Sequence, residues 1–227
     1  MEELNMPYVL SMLTEHDITI PNADLIFEQN KHSKVKYWGF KDVGISQTKR
    51  AALARLMLNA GKKTVYEALT TDEDDCLEHA KFAVDCQVSM FLGMTFFERV
   101  SELLKQNNID YFPSVGKREG DNLLRGSAEE MIKEAQFIQQ QDCHGIRLSV
   151  FRYLDGDPEE MGLKVLGSIN IPFLITGSIN TYQKLDFIKR VKPFGFTIGG
   201  SLLFTDDFAK GSVAEKLDIV KDYVQNQ

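Results

Sequence analysis

IPFLITGSINTYQKLDFIKRVKPFGFTIGGSLLF, residues 171–204, packs two apolar runs, an amphipathic helical segment and two glycine-bearing turns into 34 residues. Its order is strand, turn, helix, strand, turn. The first run ends in Gly177-Ser178 and the second in Gly199-Gly200-Ser201. Glycine lets backbone N–H groups come close to an anion, so both turns are candidate anion grips. Strands joined through a helix imply parallel βαβ units, and the rest of the chain is expected to repeat them.

The alternation extends back to the N-terminus. Apolar, β-branched or aromatic runs begin at positions 8, 35, 64, 88, 109, 145, 171 and 194, separated by 21 to 36 residues, the length of a strand plus a crossover helix. Helical patterns fill the intervals: a periodic segment ends at Gly61, acids following Thr71 open another, and SAEE at 127–130 is a capping-box pattern. Eight units exhaust the chain. They imply one α/β domain over residues 1–227, a (β/α)8 TIM barrel with eight parallel strands and no exposed edge. An open doubly wound sheet is the alternative, but no GxGxxG follows the first run.

Composition limits the partners. Acidic residues outnumber Lys and Arg 33 to 26, for a net charge of -7 and a pI near 5.2, which disfavours nucleic-acid binding. Glu2 and Glu3 have the wrong charge for a signal peptide, and the longest apolar run, 88–97, is too short to span a bilayer. A soluble, cytoplasmic protein without membrane contact is expected. Cys76, Cys86 and Cys143 are odd in number and lack CxxC spacing, and no histidine pair has ligand spacing, so neither a metal nor an organic cofactor is called for.

In such a barrel the chemistry lies at the C-terminal ends of the strands. Strand alternation sends Trp38 and Phe40 toward helices and Tyr37, Gly39 and Lys41 toward the axis. Glu67 then faces inward with Val65, and Arg147, Ser149 and Phe151 share a face opposite Ile146, Leu148 and Val150. Lys41, Glu67 and Arg147 therefore converge, either as chemistry or as a structural ion pair between Lys41 and Glu67 with Arg147 deep beneath it. Arg152, at the end of the sixth strand, is a better-placed anion ligand, although alternation turns it outward. His16 and Asp17, in the first loop beside Glu15, offer an acid/base pair or merely a solvated loop that caps the next helix. Asp42, at the rim, is a candidate for a substrate hydroxyl or divalent ion, or part of a helix cap near Ser46. The loop 114–126, glycine-bearing and charged, reads as a lid or a surface loop.

The terminal segment, ITGSI after strand seven and TIGGSLLF after strand eight, resembles the phosphate-binding, aldolase-type barrels: ribulose-phosphate-binding enzymes, phosphoribosylanthranilate isomerases and 2-keto-3-deoxy-6-phosphogluconate aldolases. The resemblance implies a small phosphorylated metabolite as partner, gripped by Thr176, Gly177, Ser178, Gly199, Gly200 and Ser201. It covers about the last quarter of the chain specifically. The aldolases' Schiff-base lysine on strand six is absent, since Arg147, Ser149 and Arg152 stand there, and the decarboxylases' Asp-x-Lys-x-x-Asp motif is not supplied by VYEALTTD. The expectation is thus an isomerase, epimerase or aldol-type lyase using Lys41 and Glu67. A quinolinate-type phosphoribosyltransferase and a non-catalytic metabolite-binding barrel are the alternatives, and a homo-oligomer is left open.

Overall fold

The computed structural model describes residues 6–120 and 122–225. Its strands are β1 (Tyr8–Met12), β2 (Tyr37–Lys41), β3 (Lys63–Glu67), β4 (Met90–Gly93), β5 (Asp110–Pro113), β6 (Ile146–Leu148), β7 (Phe173–Ile175) and β8 (Gly195–Ile198). They form one sheet of eight strands in the order β6-β7-β8-β1-β2-β3-β4-β5, parallel in every pairing. The two ends meet through a Ser114–Arg147 bridge and a hydrogen bond from the Val115 N–H to the Arg147 carbonyl. The sheet is therefore a (β/α)8 barrel, with strands where the run spacing placed them, and not an open sheet.

Helices α1 (Ala23–Asn30), α2 (Gln47–Asn59), α3 (Glu73–Asp85), α4 (Glu98–Gln106), α5 (Ala128–Gln140), α6 (Pro158–Leu166) and α7 (Tyr182–Val191) cover the outside, followed by the short α8 (Ser201–Phe204) and by α9 (Val213–Gln225). Side-chain oxygens fix most of their starts. Ser46, Asp72, Ser127, Asp157 and Thr181 each accept from a first-turn amide, and Ser127 with Glu130 completes the capping box. The acidic signal after Thr71 thus resolves to Asp72 as the cap of α3.

Period-two alternation divides the core into two layers. Leu10, Met12, Tyr37, Val65, Met90, Leu92, Phe112 and Leu174 fill the barrel interior. Trp38, Phe40, Tyr66, Phe91, Ile146, Leu148 and Phe196 pack outward against the helices. Gly39 is required inside, because a Cβ there would lie 2.7 Å from the Met12 sulfur and 2.8 Å from Val65 Cβ. Interior apolar side chains thus plug the lower barrel and leave the charged ones near the mouth.

Two hairpins decorate that mouth. Thr14–Glu15 pairs with Ile18–Thr19 across a turn in which His16 and Asp17 have φ of 48° and 62°, the left-handed pair of a two-residue hairpin. Lys117–Glu119 pairs with Leu123–Arg125, so the stretch read as a lid or surface loop contains ordered strand. This hairpin is anchored by the fully buried Leu124, whose carbonyl accepts from the Leu154 N–H. Among the described residues, no helix is long and apolar enough to cross a membrane.

Candidate active site

The mouth is organised around the end of β2. Lys41 is the last residue of that strand, and its ammonium donates to Asp17 Oδ1 at 2.7 Å and lies 3.5 Å from Glu67 Oε2. The first hairpin delivers Asp17 because it is tied to the same strand end. Thr19 Oγ1 accepts from the Lys41 N–H at 2.8 Å and donates to the Lys41 carbonyl at 2.9 Å. Glu67, ending β3 and paired in register with Lys41, accepts from Arg147 Nη1 at 2.5 Å. Arg147 Nε in turn donates to the Gly93 carbonyl at 2.9 Å. On the other side, Arg152 reaches Asp17 with two bonds, of 2.6 and 3.1 Å.

These contacts decide the carboxylates' charge. Burial alone would push Asp17 up, but the Arg152 hydrogen bond and the Lys41 charge outweigh it and hold Asp17 well below the usual carboxylate range. Glu67 follows the same pattern: burial opposes ionisation, while Lys41 and Arg147 reverse the balance and lower it. The result is an ionised chain, Arg152–Asp17–Lys41–Glu67–Arg147, running across the barrel mouth.

It borders a cavity of about 900 Å³ that is also lined by His16, Ser149, Arg118 and the glycine turns. Ser149 and Thr176 share a 2.8 Å hydroxyl hydrogen bond on its wall. Gly177 and Ser178 both take positive φ, 77° and 58°, and a Cβ on Gly177 would sit 2.8 Å from Arg152 Nε. Gly199 has no room either, since a Cβ would meet the Met12 carbonyl at 2.9 Å. Among the described residues, the backbone N–H groups of Gly177, Ser178 and Ser201 donate to no protein acceptor, and these residues line the cavity. Donors left open beside a cavity suit an anion.

The sequence-derived residues divide accordingly. Lys41, Glu67, His16, Asp17, Arg147, Arg152, Thr176, Gly177, Ser178, Gly199, Gly200 and Ser201 all line the one cavity. Asp42 does not. One residue beyond Lys41, it turns to the outer layer, where Oδ2 lies 3.3 Å from His79 Nε2 and accepts from the Leu69 N–H at 3.2 Å. Neither is it a helix cap, which Ser46 supplies itself. Arg152 escapes its outward assignment because regular β6 stops at Leu148 and a 3-10 turn, Val150–Arg152, swings it back over the mouth. Arg118 was missed by sequence reasoning; its half-buried position between exposed neighbours is visible only once Lys117–Glu119 is known to be a strand. Among the described residues, no group of three or more His, Cys, Asp or Glu side chains is arranged to hold a metal ion.

No protein-family model matches the chain, and no curated protein is similar to it. Solved structures are. Orotidine 5'-phosphate decarboxylase from Pyrococcus horikoshii superposes with a TM-score of 0.73 at 12% identity, covering 96% of this chain and 100% of its own. Monomers derived from the dimeric phosphoribosylanthranilate isomerase of Thermotoga maritima give 0.62 at 14% identity, over 98% of this chain and 100% of theirs. A glycerol uptake operon antiterminator regulatory protein from Listeria monocytogenes gives 0.58 at 14% identity, over 84% of this chain and 90% of its own. The likeness is one of fold. It matches the barrels that the terminal segment resembles, and it spans enzymes and a regulator alike.

Proposed function

We propose that the chain is an enzyme that isomerises, epimerises or cleaves a small phosphorylated sugar or keto acid at the barrel mouth. The observation carrying this reading is that Lys41, flanked by the two ionised carboxylates Asp17 and Glu67, borders the same cavity as the open amides of the turns after β7 and β8. A phosphoryl group at those amides would hold the substrate's carbon chain over Lys41. The Lys41 ammonium is then a charged donor for an oxygen that becomes negative as an enolate or alkoxide forms. A carboxylate paired with Lys41 is a weak base; when substrate oxygen takes over the ammonium, that carboxylate loses a partner and gains basicity where a proton must be removed. Glu67 is the proton carrier in this scheme, with Asp17 and His16 as the other proton-active groups within the cavity. The scheme asks for no metal or organic cofactor, and the acidic composition suits a cytoplasmic protein.

One observation favours a second reading, a metabolite-binding barrel without turnover: Lys41 and Glu67 are only 5% and 6% exposed and already satisfy each other. Two measurements separate the readings. Phosphorylated sugars and keto acids incubated with the protein in deuterium oxide are expected to gain deuterium at the carbon next to the carbonyl, and Lys41→Met to abolish it. Borohydride reduction of the same mixtures tests for a Schiff base on Lys41. Phosphate-ester binding with neither exchange nor cleavage of any candidate leaves the non-catalytic reading standing and overturns the enzyme.

A further inference from the structure

The cations at the mouth are not equally partnered. Arg147 is matched by Glu67, Arg152 by Asp17, and Lys41 by both carboxylates. Arg118 is different. Its Nη2 donates to Ser114 Oγ and its Nη1 makes a long bond of 3.4 Å to the Asn122 carbonyl, while its Nε is buried with no hydrogen-bond partner. Among the described residues, no carboxylate pairs with it; the neighbouring Glu134 accepts instead from the Gly116 N–H at 2.8 Å. Burial, aided by the like charge of Arg147, pushes the Arg118 guanidinium down to about 9. A guanidinium in such a place is costly to hold charged unless an anion joins it.

Position and charge narrow what that anion is. Arg118 stands on the hairpin after β5, two to three strands around the barrel from the turns after β7 and β8, and both line the one cavity. The hairpin is anchored by Leu124, so Arg118 is held in place as a planar fork of donors. Among the described residues that line the cavity, four cations, Lys41, Arg118, Arg147 and Arg152, stand against three carboxylates, Glu15, Asp17 and Glu67. A phosphoryl dianion at the glycine turns already exceeds that surplus of one, so a carboxylate beside Arg118 adds less uncompensated charge than a second phosphate would.

We infer that Arg118 forms a second anion subsite that reads a carboxylate at the end of the substrate away from the glycine turns, so that the substrate is a phosphorylated acid with the two groups on one short carbon chain. This rests on the phosphate-grip reading above and adds the chemistry of the other end.

Calorimetric titration at constant ionic strength tests it with four probes: inorganic phosphate, glycerol 3-phosphate with a neutral far end, 2-phosphoglycolate with a carboxylate there, and ethylene glycol bisphosphate with a second phosphate there. The wild-type protein is expected to prefer 2-phosphoglycolate over glycerol 3-phosphate by about tenfold or more, as one charge-assisted bidentate contact provides. Arg118→Met is expected to bring the two within about twofold while leaving glycerol 3-phosphate binding intact, and Arg118→Lys to fall between, having charge without the fork. Unchanged glycerol 3-phosphate binding also certifies that each variant is folded. Equal wild-type affinity for the two esters, or an Arg118→Met variant that keeps the preference, overturns the carboxylate subsite while the grip survives. Stronger binding of a bisphosphate than of 2-phosphoglycolate overturns the monoanion. Absence of binding by every probe overturns the grip itself, and this inference with it.

Discussion

Lys41 and Asp42 are consecutive residues, yet they belong to opposite kinds of polar network. Lys41 points into the barrel, where Asp17, Glu67, Arg147 and Arg152 alternate in sign and satisfy one another beside an open cavity. Asp42 points outward to His79, whose Nδ1 is 2.9 Å from the Tyr66 hydroxyl, which accepts from Arg50 Nη1 at 2.8 Å. That outer network lies between strands and helices, away from the cavity, and is incompletely satisfied: Asp42 Oδ1 and Arg50 Nε are buried without partners. The electrostatic consequence is a reversal. Inside, cations hold the carboxylates below their usual range; outside, burial dominates, raising Asp42 and lowering His79. Charge is favoured where opposite charges surround it and resisted where burial outweighs them.

The largest test of the contrast is Arg147→Met, which leaves the buried Glu67 carboxylate, among the described residues, with the 3.5 Å contact to Lys41 as its remaining ion pair. Breaking one side of a buried ion pair typically costs about 3–5 kcal/mol, so a fall of that size in the free energy of urea unfolding is expected. A loss below about 1 kcal/mol would mean that the inner chain is no better satisfied than the outer one.

The inner network was readable because it obeys the strand period. Lys41, Glu67 and Arg147 lie on regular strands, where alternation with Val65, Tyr37 and the outward Ile146 and Leu148 assigns a side, and the eight run positions supply the architecture that makes those sides converge. The same alternation turns Asp42, one step past Lys41, outward, and the structure places it away from the cavity. Arg152 and Arg118 lay beyond the reach of the rule. Arg152 follows a strand cut short by a 3-10 turn, and Arg118 belongs to a hairpin whose fold depends on the packing of Leu124, which no local spacing reveals. The glycine turns were visible as composition, but the need for Gly177 comes from Arg152, a contact made only in three dimensions.

A middle-sized effect is expected from pH. Asp17 and Glu67 have lowered values in the folded protein, so the stability they contribute is fully present above the ordinary carboxylate values near 4 and is lost as pH falls from there toward their folded values. Asp17→Asn should lower stability at neutral pH by about 1–3 kcal/mol, the worth of hydrogen bonds to a charged group, and should flatten the decline below pH of about 4. Unfolding free energies measured from pH 3 to 7 would show the two curves converging in acid; parallel curves would assign the loss to packing rather than to charge.

The smallest effect, and the one that reaches furthest into the contrast, belongs to Asp42→Asn. With a raised folded value, Asp42 contributes stability that is present below the ordinary carboxylate range and lost as pH rises through that value. His79, lowered by burial against the partial opposition of Asp42, does the reverse: its contribution is present above the ordinary histidine value near 6.5 and lost as pH falls. Between about pH 4 and 6.5 the two slopes oppose each other, and the wild-type curve is flatter than either group alone would make it. Asp42→Asn keeps a carbonyl oxygen for the Leu69 N–H while removing the titrating carboxylate. Its stability should climb more steeply than wild type toward pH of about 6.5 and differ there by about 1 kcal/mol or less, the scale of a single hydrogen bond. Curves that stay parallel across that range would mean that Asp42 and His79 do not titrate against each other, and that burial does not resist the charge on Asp42.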